Sequence, residues 1–211
     1  KLDKNTLVIF TADNGPWLSY GDHAGSAGPL REGKGTMFDG GCRESTLMWW
    51  PDTVPAGSVC KTPAMTVDIL PTVAELIGAK LPKHKIDGKS IVNLIKGTSD
   101  KSPQEAYYFY MGRQLQAVRM GKWKLHFPHG YRTMAGKPGG KGGIPTRYSG
   151  AQIGLSLFDL GNDIGETTDV KAKYPEILVK IKALGEAMRT ELGDNKRQGK
   201  GQRQPGRLAT R

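Results

Sequence analysis

Cysteine is scarce: the 211 residues hold two, Cys42 and Cys60, and neither lies in a Cys-x-x-Cys pair or a Cys/His spacing of the zinc kind. A cysteine-clamped zinc module and a disulfide scaffold are thereby excluded, although one Cys42–Cys60 bridge stays open. Long apolar runs are missing as well. No stretch approaches 18 apolar residues, so no membrane-spanning helix is expected. The chain opens on Lys1 and enters a strand-like run almost at once, without a charged-then-apolar signal segment. We therefore expect a piece of a longer protein.

Acidic residues are outnumbered, 20 against 31 basic ones, for a net charge of +11. Such a balance invites a nucleic-acid reading, but the excess is concentrated in the tail. After Gly193, Lys196, Arg197, Lys200, Arg203, Arg207 and Arg211 face one acid, Asp194. This Gly- and Gln-rich segment, 193–211, is expected to be a disordered basic tail. No nucleic-acid partner is expected, and oligomeric state is left open. A non-catalytic polyanion-binding module using this tail and residues 130–147 is one alternative function.

What is present is α/β material. The β-branched run 6–12, "TLVIFTA", has the character of a buried parallel strand, and 45–50, "STLMWW", is a second strand closed by Pro51. The Gly-rich segment 15–41 between them is too polar for a core, and a long loop in a compact domain is usually functional. Residues 66–78 read as a helix capped by Asp68, with Pro71 in its first turn, Leu70, Val73, Ala74 and Ile77 as its apolar face, and Gly78 as its stop. Residues 80–103 read as connecting chain. Strands return at 106–111, 115–120 and 122–127, the last two close enough for a hairpin. Residues 130–154, rich in Gly, Lys and Pro, are expected to be a mobile loop. Residues 155–160 resume a strand, and a helix from Pro175 to Leu192 presents Ile177, Leu178, Ile181, Leu184 and Met188 on one side. The expected division is 1–104, part of an α/β domain; 105–192, a small α+β subdomain; and 193–211, the tail.

The chemistry gathers in the first segment. In "TADNG", Asp13 and Asn14 follow a strand, where ligand sites of open α/β sheets collect. A carboxylate beside an amide supplies only oxygen donors, which suit Ca²⁺ or Mg²⁺ better than zinc; an Asx turn is the structural alternative. "GPLREGKGT" (28–36) approaches a phosphate-binding loop, but Gly35 stands where Ser or Thr should follow Lys34, and no strand or helix flanks it properly. Lys34 is left as an accessible cation able to neutralise an anionic oxygen. Asp22-His23 lies between these elements. Arg43-Glu44 reads as a structural ion pair at the floor of the site.

In order, "TADNGP … EGKGTMFDGGCRES … WWP", then "TVDILPTVAELIGAKLP … IDGKSIVNLIKG", "QAVRMGKWKL" and "LFDLGNDIGETTDV" resemble the C-terminal half of the type I sulfatases, the calcium- and formylglycine-dependent family. The resemblance covers roughly residues 5–192. It implies an alkaline-phosphatase-like α/β fold: a partial mixed sheet with flanking helices, then a small antiparallel sheet with a terminal helix. Asp13 and Asn14 match two calcium ligands of that family, and Lys34 matches its sulfate-contacting lysine. His23 lies where some members place a substrate-contacting histidine. Arg43 matches a motif arginine of structural role, and Cys42 is expected to be a packed thiol. The family chemistry is attack on sulfur by a hydrated formylglycine, with the cation and lysines holding the sulfate oxygens and an acid protonating the departing alcohol.

The nucleophile is missing from these residues. The formylglycine cysteine belongs to a Cys-x-Pro-x-Arg motif, and neither Cys42-Arg43-Glu44 nor Cys60-Lys61-Thr62 fits. The family's other pair of calcium-binding aspartates is also absent, Asp3 alone preceding the first strand. The expected function is thus part of a sulfatase that hydrolyses sulfate esters, with sulfated carbohydrate as the expected substrate class. It would be inactive alone, and its parent would be exported, as bacterial members mostly are. A zinc phosphatase or phosphodiesterase of the same superfamily is the second alternative; it would need a histidine in place of Asn14.

Overall fold

The computed structural model describes residues 2–204. In chain order they form β1 (Val8–Thr11), α1 (Asp39–Cys42), β2 (Thr46–Trp49), α2 (Ile69–Leu76), α3 (Val92–Ile95), β3 (Tyr107–Met111), β4 (Gln114–Met120), β5 (Trp123–His126), β6 (His129–Thr133), β7 (Ser149–Ile153), β8 (Ser156–Asp159), α4 (Pro175–Glu191), β9 (Gly193–Asp194) and β10 (Arg197–Gln198). They make two compact units. One joins residues 1–12 to 45–105; the other joins 13–44 to the chain from 106 onward. The Gly-rich segment thus leaves the strands that flank it and packs with the C-terminal residues.

In the first unit β1 pairs with β2 in antiparallel register, Val8 opposite Trp49 and Thr11 opposite Thr46. The expected buried parallel strand is corrected on both counts: its neighbour runs antiparallel, and Phe10 and Leu47 are 71% and 68% exposed. Propensity made the strand, but the pairing comes from the returning chain; Met48 packs into the unit's core, while Val8, Phe10, Leu47 and Trp49 stay exposed. The unit's small core is Ile91, Leu94 and Ile95 with Met48 and Val54.

Helix α2 forms where expected, with Pro71 in its first turn. Asp68 does not cap it. Residues Thr66–Asp68 form a 3-10 turn, and the Asp68 carboxylate accepts the N–H groups of Met65 and Lys89, both at 2.8 Å. It also accepts Gln104 Nε2 at 3.0 Å. Asp68 sits at 0% exposure and ties residues 80–104 to the helix. The expected apolar face is largely open: Ala74 is buried, but Leu70, Val73 and Ile77 are exposed.

The second unit is built on a four-stranded antiparallel sheet in the order β3-β4-β5-β8. One face packs on α4, where Leu115, Val118, Leu125, Phe127 and Leu157 bury around Ile181. Leu115 and Val118 share that face because the register shifts between Phe109, opposite Ala117, and Tyr110, opposite Leu115; the extra residue, Gln116, is a bulge that resets the alternation. Helix α4 starts on Pro175 and ends before Gly193, whose φ is +94°. The Arg189 guanidinium lies 4.0 Å from the Phe127 ring centre and pairs with Glu186 and Asp194.

Two expectations fail in this unit for related reasons. Residues 130–154 are not a loose loop: β6 and β7 form a ribbon running from His129 opposite Ile153 to Thr133 opposite Ser149. The intervening chain is pinned by Gly140 and Thr146, whose N–H groups donate to the Ser19 carbonyl at 2.8 and 2.9 Å. The tail is not disordered where it is described. β9 and β10 form a short hairpin, Asp194 accepts the Leu115 N–H at 3.0 Å, and Arg197 bonds Glu186 at 2.8 Å. Glycine and charge here serve close packing and ion pairing. Arg207 and Arg211 lie outside the described residues.

Candidate functional site

The site grows from the backbone of the Gly-rich segment. Gly15 N–H donates to the Gly41 carbonyl at 3.1 Å, and Lys34 N–H donates to the Pro16 carbonyl at 2.9 Å. A Cβ at Gly15 would overlap the Gly40 carbonyl, so only glycine lets the three strands of loop meet. Asp13-Asn14 and Lys34 therefore stand on facing backbone segments. Asp13 is exposed; Asn14 and Lys34 are half-buried.

Lys34 is held from both ends. Its ammonium lies 5.3 Å from the centre of the Trp17 ring, a cation–π position. Its carbonyl accepts Arg132 Nε at 3.0 Å and Arg132 Nη2 as well. The Arg132 guanidinium in turn lies 4.5 Å from the Tyr148 ring centre, and the Tyr148 hydroxyl accepts the Ser19 N–H at 3.2 Å. Gly35 has φ +83° and is pressed against the same guanidinium, which leaves no room for a Cβ.

His23 is not drawn in. It lies at the end of a 3-10 turn, Leu18–His23, exposed and 3.9 Å from Asp22, which is itself bonded to the Gly142 N–H. Arg43 pairs with Asp39 at 3.9 Å, so the expected Arg43-Glu44 pair is corrected: the neighbours in sequence leave the chain in different directions. Cys42 is a free thiol donating to the Thr36 carbonyl at 3.3 Å, its pKa pushed up to about 11 by burial. It is a packed group, not a nucleophile. Cys60 is free and exposed.

Glu44 does something else. Its Oε1 is buried without a hydrogen-bond partner among the described residues. Burial, and then the Asp13 charge, raise its pKa. Asp13 is thus close enough for its charge to act on Glu44, and both carboxylates offer only oxygen donors, the kind a hard cation takes. Among the described residues no group of three or more His, Cys, Asp or Glu is placed to hold a metal ion, so Asp13 and Asn14 would contribute only part of a shell of six to eight oxygens.

Sequence reasoning missed the buried network beneath the loop. On the sheet face away from α4, Lys124 is fully buried, with its ammonium 2.7 Å from Asp39 Oδ1 and 3.1 Å from Glu166 Oε1. Arg119, opposite Lys124 in the register, reaches Asp39 Oδ2 at 3.4 Å. Glu166 Oε2 accepts the Asp39 N–H at 2.6 Å, and Arg31 Nη1 donates to the Glu166 carbonyl at 2.7 Å. His126 Nε2 lies 2.8 Å from Glu166 Oε1, and its ring stacks on Phe38 at 4.5 Å. The network clamps both ends of residues 31–39 to the sheet and so fixes the loop that carries Lys34. Alternation in "KWKLHF" was the available signal: Lys124 and His126 share a face that the pattern left unexplained.

The pH dependence follows. Burial lowers the His126 pKa from 6.5 to about 4, against the pull of Glu166. With Nε2–H directed at the carboxylate, its Nδ1 is a bare acceptor without a partner among the described residues. Between about pH 4 and 6.5 the unfolded chain therefore binds a proton that the folded chain refuses, so stability falls as pH drops through this window. The loss is ~3 kcal/mol by the time both states are protonated. Burial alone would raise Glu166, but the His126 bond and the Lys124 charge outweigh it and hold it below the usual range; its contribution is lost at still lower pH. Urea unfolding of the chain at pH 7.5 and at pH 4.5 should show the drop, and His126→Gln should flatten the upper part of the curve. An equal slope in wild type and variant would count against His126 as the titrating group.

A family model described as the C-terminal region of aryl-sulfatase matches residues 102–206, and one described as sulfatase matches residues 1–79. Human arylsulfatase A is 37% identical over 194 residues, covering 86% of this chain and 37% of its own length. Mouse N-acetylgalactosamine-6-sulfatase is 35% identical over 179 residues, covering 78% of this chain and 34% of its own. Among solved structures, the PsFucS1 sulfatase from Pseudoalteromonas sp. superposes with a TM-score of 0.73 at 24% identity, over 88% of this chain and 37% of that one. The chain thus spans about a third of the length of these relatives, and its fold is the alkaline-phosphatase-like one of the sulfatases. The chain belongs to the sulfatase family.

Proposed function

We propose that these residues are the C-terminal part of a longer sulfatase that hydrolyses sulfate esters of a carbohydrate. The observation that carries the reading is the hydrogen bond from the Lys34 N–H to the Pro16 carbonyl, which holds this lysine against the segment bearing the oxygen donors Asp13 and Asn14. Asp13 and Asn14 would hold calcium, which would polarise the sulfate when bound. Lys34 meets a sulfate oxygen and shares the charge that grows there as the ester bond breaks. The open ribbon of β1 and β2, with its exposed Phe10, Leu47 and Trp49, supports a sheet continued by chain outside these residues. The amide at Asn14 favours calcium over the zinc of the phosphatase alternative. The carbohydrate assignment rests on relatives such as the N-acetylgalactosamine-6-sulfatase. Export of the parent is part of the same reading; among the described residues no helix is long and apolar enough to cross a membrane.

The nucleophile must then come from elsewhere in the parent. The 211-residue chain by itself is expected to turn over no aryl sulfate, while the full-length protein does so and loses the activity on calcium chelation. Turnover that follows the isolated chain through purification would sink this assignment.

A further inference from the structure

The ribbon of β6 and β7 carries an arrangement that the sulfate chemistry does not use. On one of its faces each cross-strand pair joins a glycine to a long polar side chain: Gly130 opposite Gln152, and Gly150 opposite Arg132. The glycines leave the backbone bare, and the result is an open trough of about 540 Å³ lined by Gly35, Met111, Gly130, Arg132, Gly150 and Gln152 among others. Arg132 uses Nε and Nη2 on the Lys34 carbonyl, and its Nη1 is the third guanidinium corner. The Gln152 amide lies over Gly130, its Nε2 3.0 Å from where a Cβ would be, so that a side chain there would crowd it. A guanidinium, an amide and a bare peptide floor form a surface for a hydroxyl-rich, anionic ring. Gly35, directly after Lys34, borders it.

We propose that this trough is a subsite for the neighbouring sugar unit of a sulfated oligosaccharide, bound beside the unit whose ester is cleaved. The inference rests on the sulfatase reading above and deepens it: the preferred substrate is an oligosaccharide, not a lone sulfated sugar. Because Arg132 touches both the trough and the Lys34 backbone, a sugar seated there bears on the loop that holds Lys34.

The test uses the full-length protein and two variants outside the cation and lysine machinery. A Cβ at Gly150 meets nothing within 4 Å, so Gly150→Leu can project a side chain into the trough from a position that tolerates one. Gln152→Ala removes the amide. Each should lower kcat/KM on a chondroitin 6-sulfate or heparin-derived tetrasaccharide about tenfold, the loss of one good hydrogen bond or more, and leave a small aryl sulfate within about twofold. Parallel losses on both substrates, or no loss on either, would overturn the subsite. If the wild type cleaves no sulfate ester at all, the sulfatase reading has failed separately. Titration calorimetry with the same tetrasaccharides then decides the trough, with equal binding by wild type and Gly150→Leu overturning it.

Discussion

Replacing Lys34 by Ala in the full-length protein is expected to lower kcat on an aryl sulfate by about 10²–10³-fold, the usual effect of removing one preorganised charge-stabilising group. The fall should appear in kcat more than in KM, because the interaction strengthens as negative charge builds on the sulfate oxygens. Lys34 is suited to this by its supports. The Trp17 ring lies beside its ammonium, Pro16 fixes its N–H, and Arg132 fixes its carbonyl. The ammonium therefore reaches the transition state with little reorganisation. Its half-buried side chain makes no ion pair among the described residues, so the variant should melt close to wild type. A change within about threefold in kcat would remove Lys34 from the chemistry.

The largest stability effect is expected at Lys124. Changing it to Met removes the cation shared by Asp39 and Glu166, two carboxylates at 1% and 0% exposure, leaving Asp39 only the longer Arg119 and Arg43 contacts and Glu166 the neutral His126 ring and the Asp39 N–H. Breaking a buried pair in this way costs about 3–5 kcal/mol, a large part of the stability of an ordinary domain. Urea unfolding of the chain at pH 7.5 should show the midpoint collapsing. The double variant Lys124→Met with Glu166→Gln should recover part of the loss, since it removes one stranded charge. If Lys124→Met alone is harmless, the network is not the clamp that holds residues 31–39. The effect should also reach function: with the clamp loosened, Lys34 loses its fixed position, and turnover in the parent should drop even under conditions where the protein stays folded.

These two lysines show what a sequence can and cannot carry. Lys34 stood out as a candidate because it lies between glycines in a segment too polar for a core, where a cation is conspicuous. Strands β3 and β5 and helix α4 were legible because their apolar residues keep a period of two or of 3.6 against the α4-facing core, whereas the bulge in β4 breaks that period. Lys124 was not legible. A charged residue inside a strand reads as the solvent face, and its partners Asp39 and Glu166 lie 85 and 42 residues away in the chain, so no local pattern announces them. The ribbon of β6 and β7 was misread because glycine signals a loop locally, while here it makes room for Arg132 and Gln152 across the strand pair. The exposed face of α2 and the open β1–β2 ribbon have the opposite cause. Their apolar pattern is that of buried elements, and the surfaces that would bury them are not in the unit that contains them. Asp13 and Asn14 were proposed from their chemistry alone; the unpartnered Glu44 oxygen, within reach of the Asp13 charge, needed the fold.

One measurement bears most directly on the proposed sulfate-ester chemistry: purify the full-length protein, determine its bound metal, and compare its turnover of paired aryl sulfate and aryl phosphate monoesters. Calcium with preferential cleavage of the sulfate is the predicted result, since Asp13 and Asn14 offer only oxygen donors. Zinc with preferential cleavage of the phosphate would contradict it and restore the phosphatase alternative.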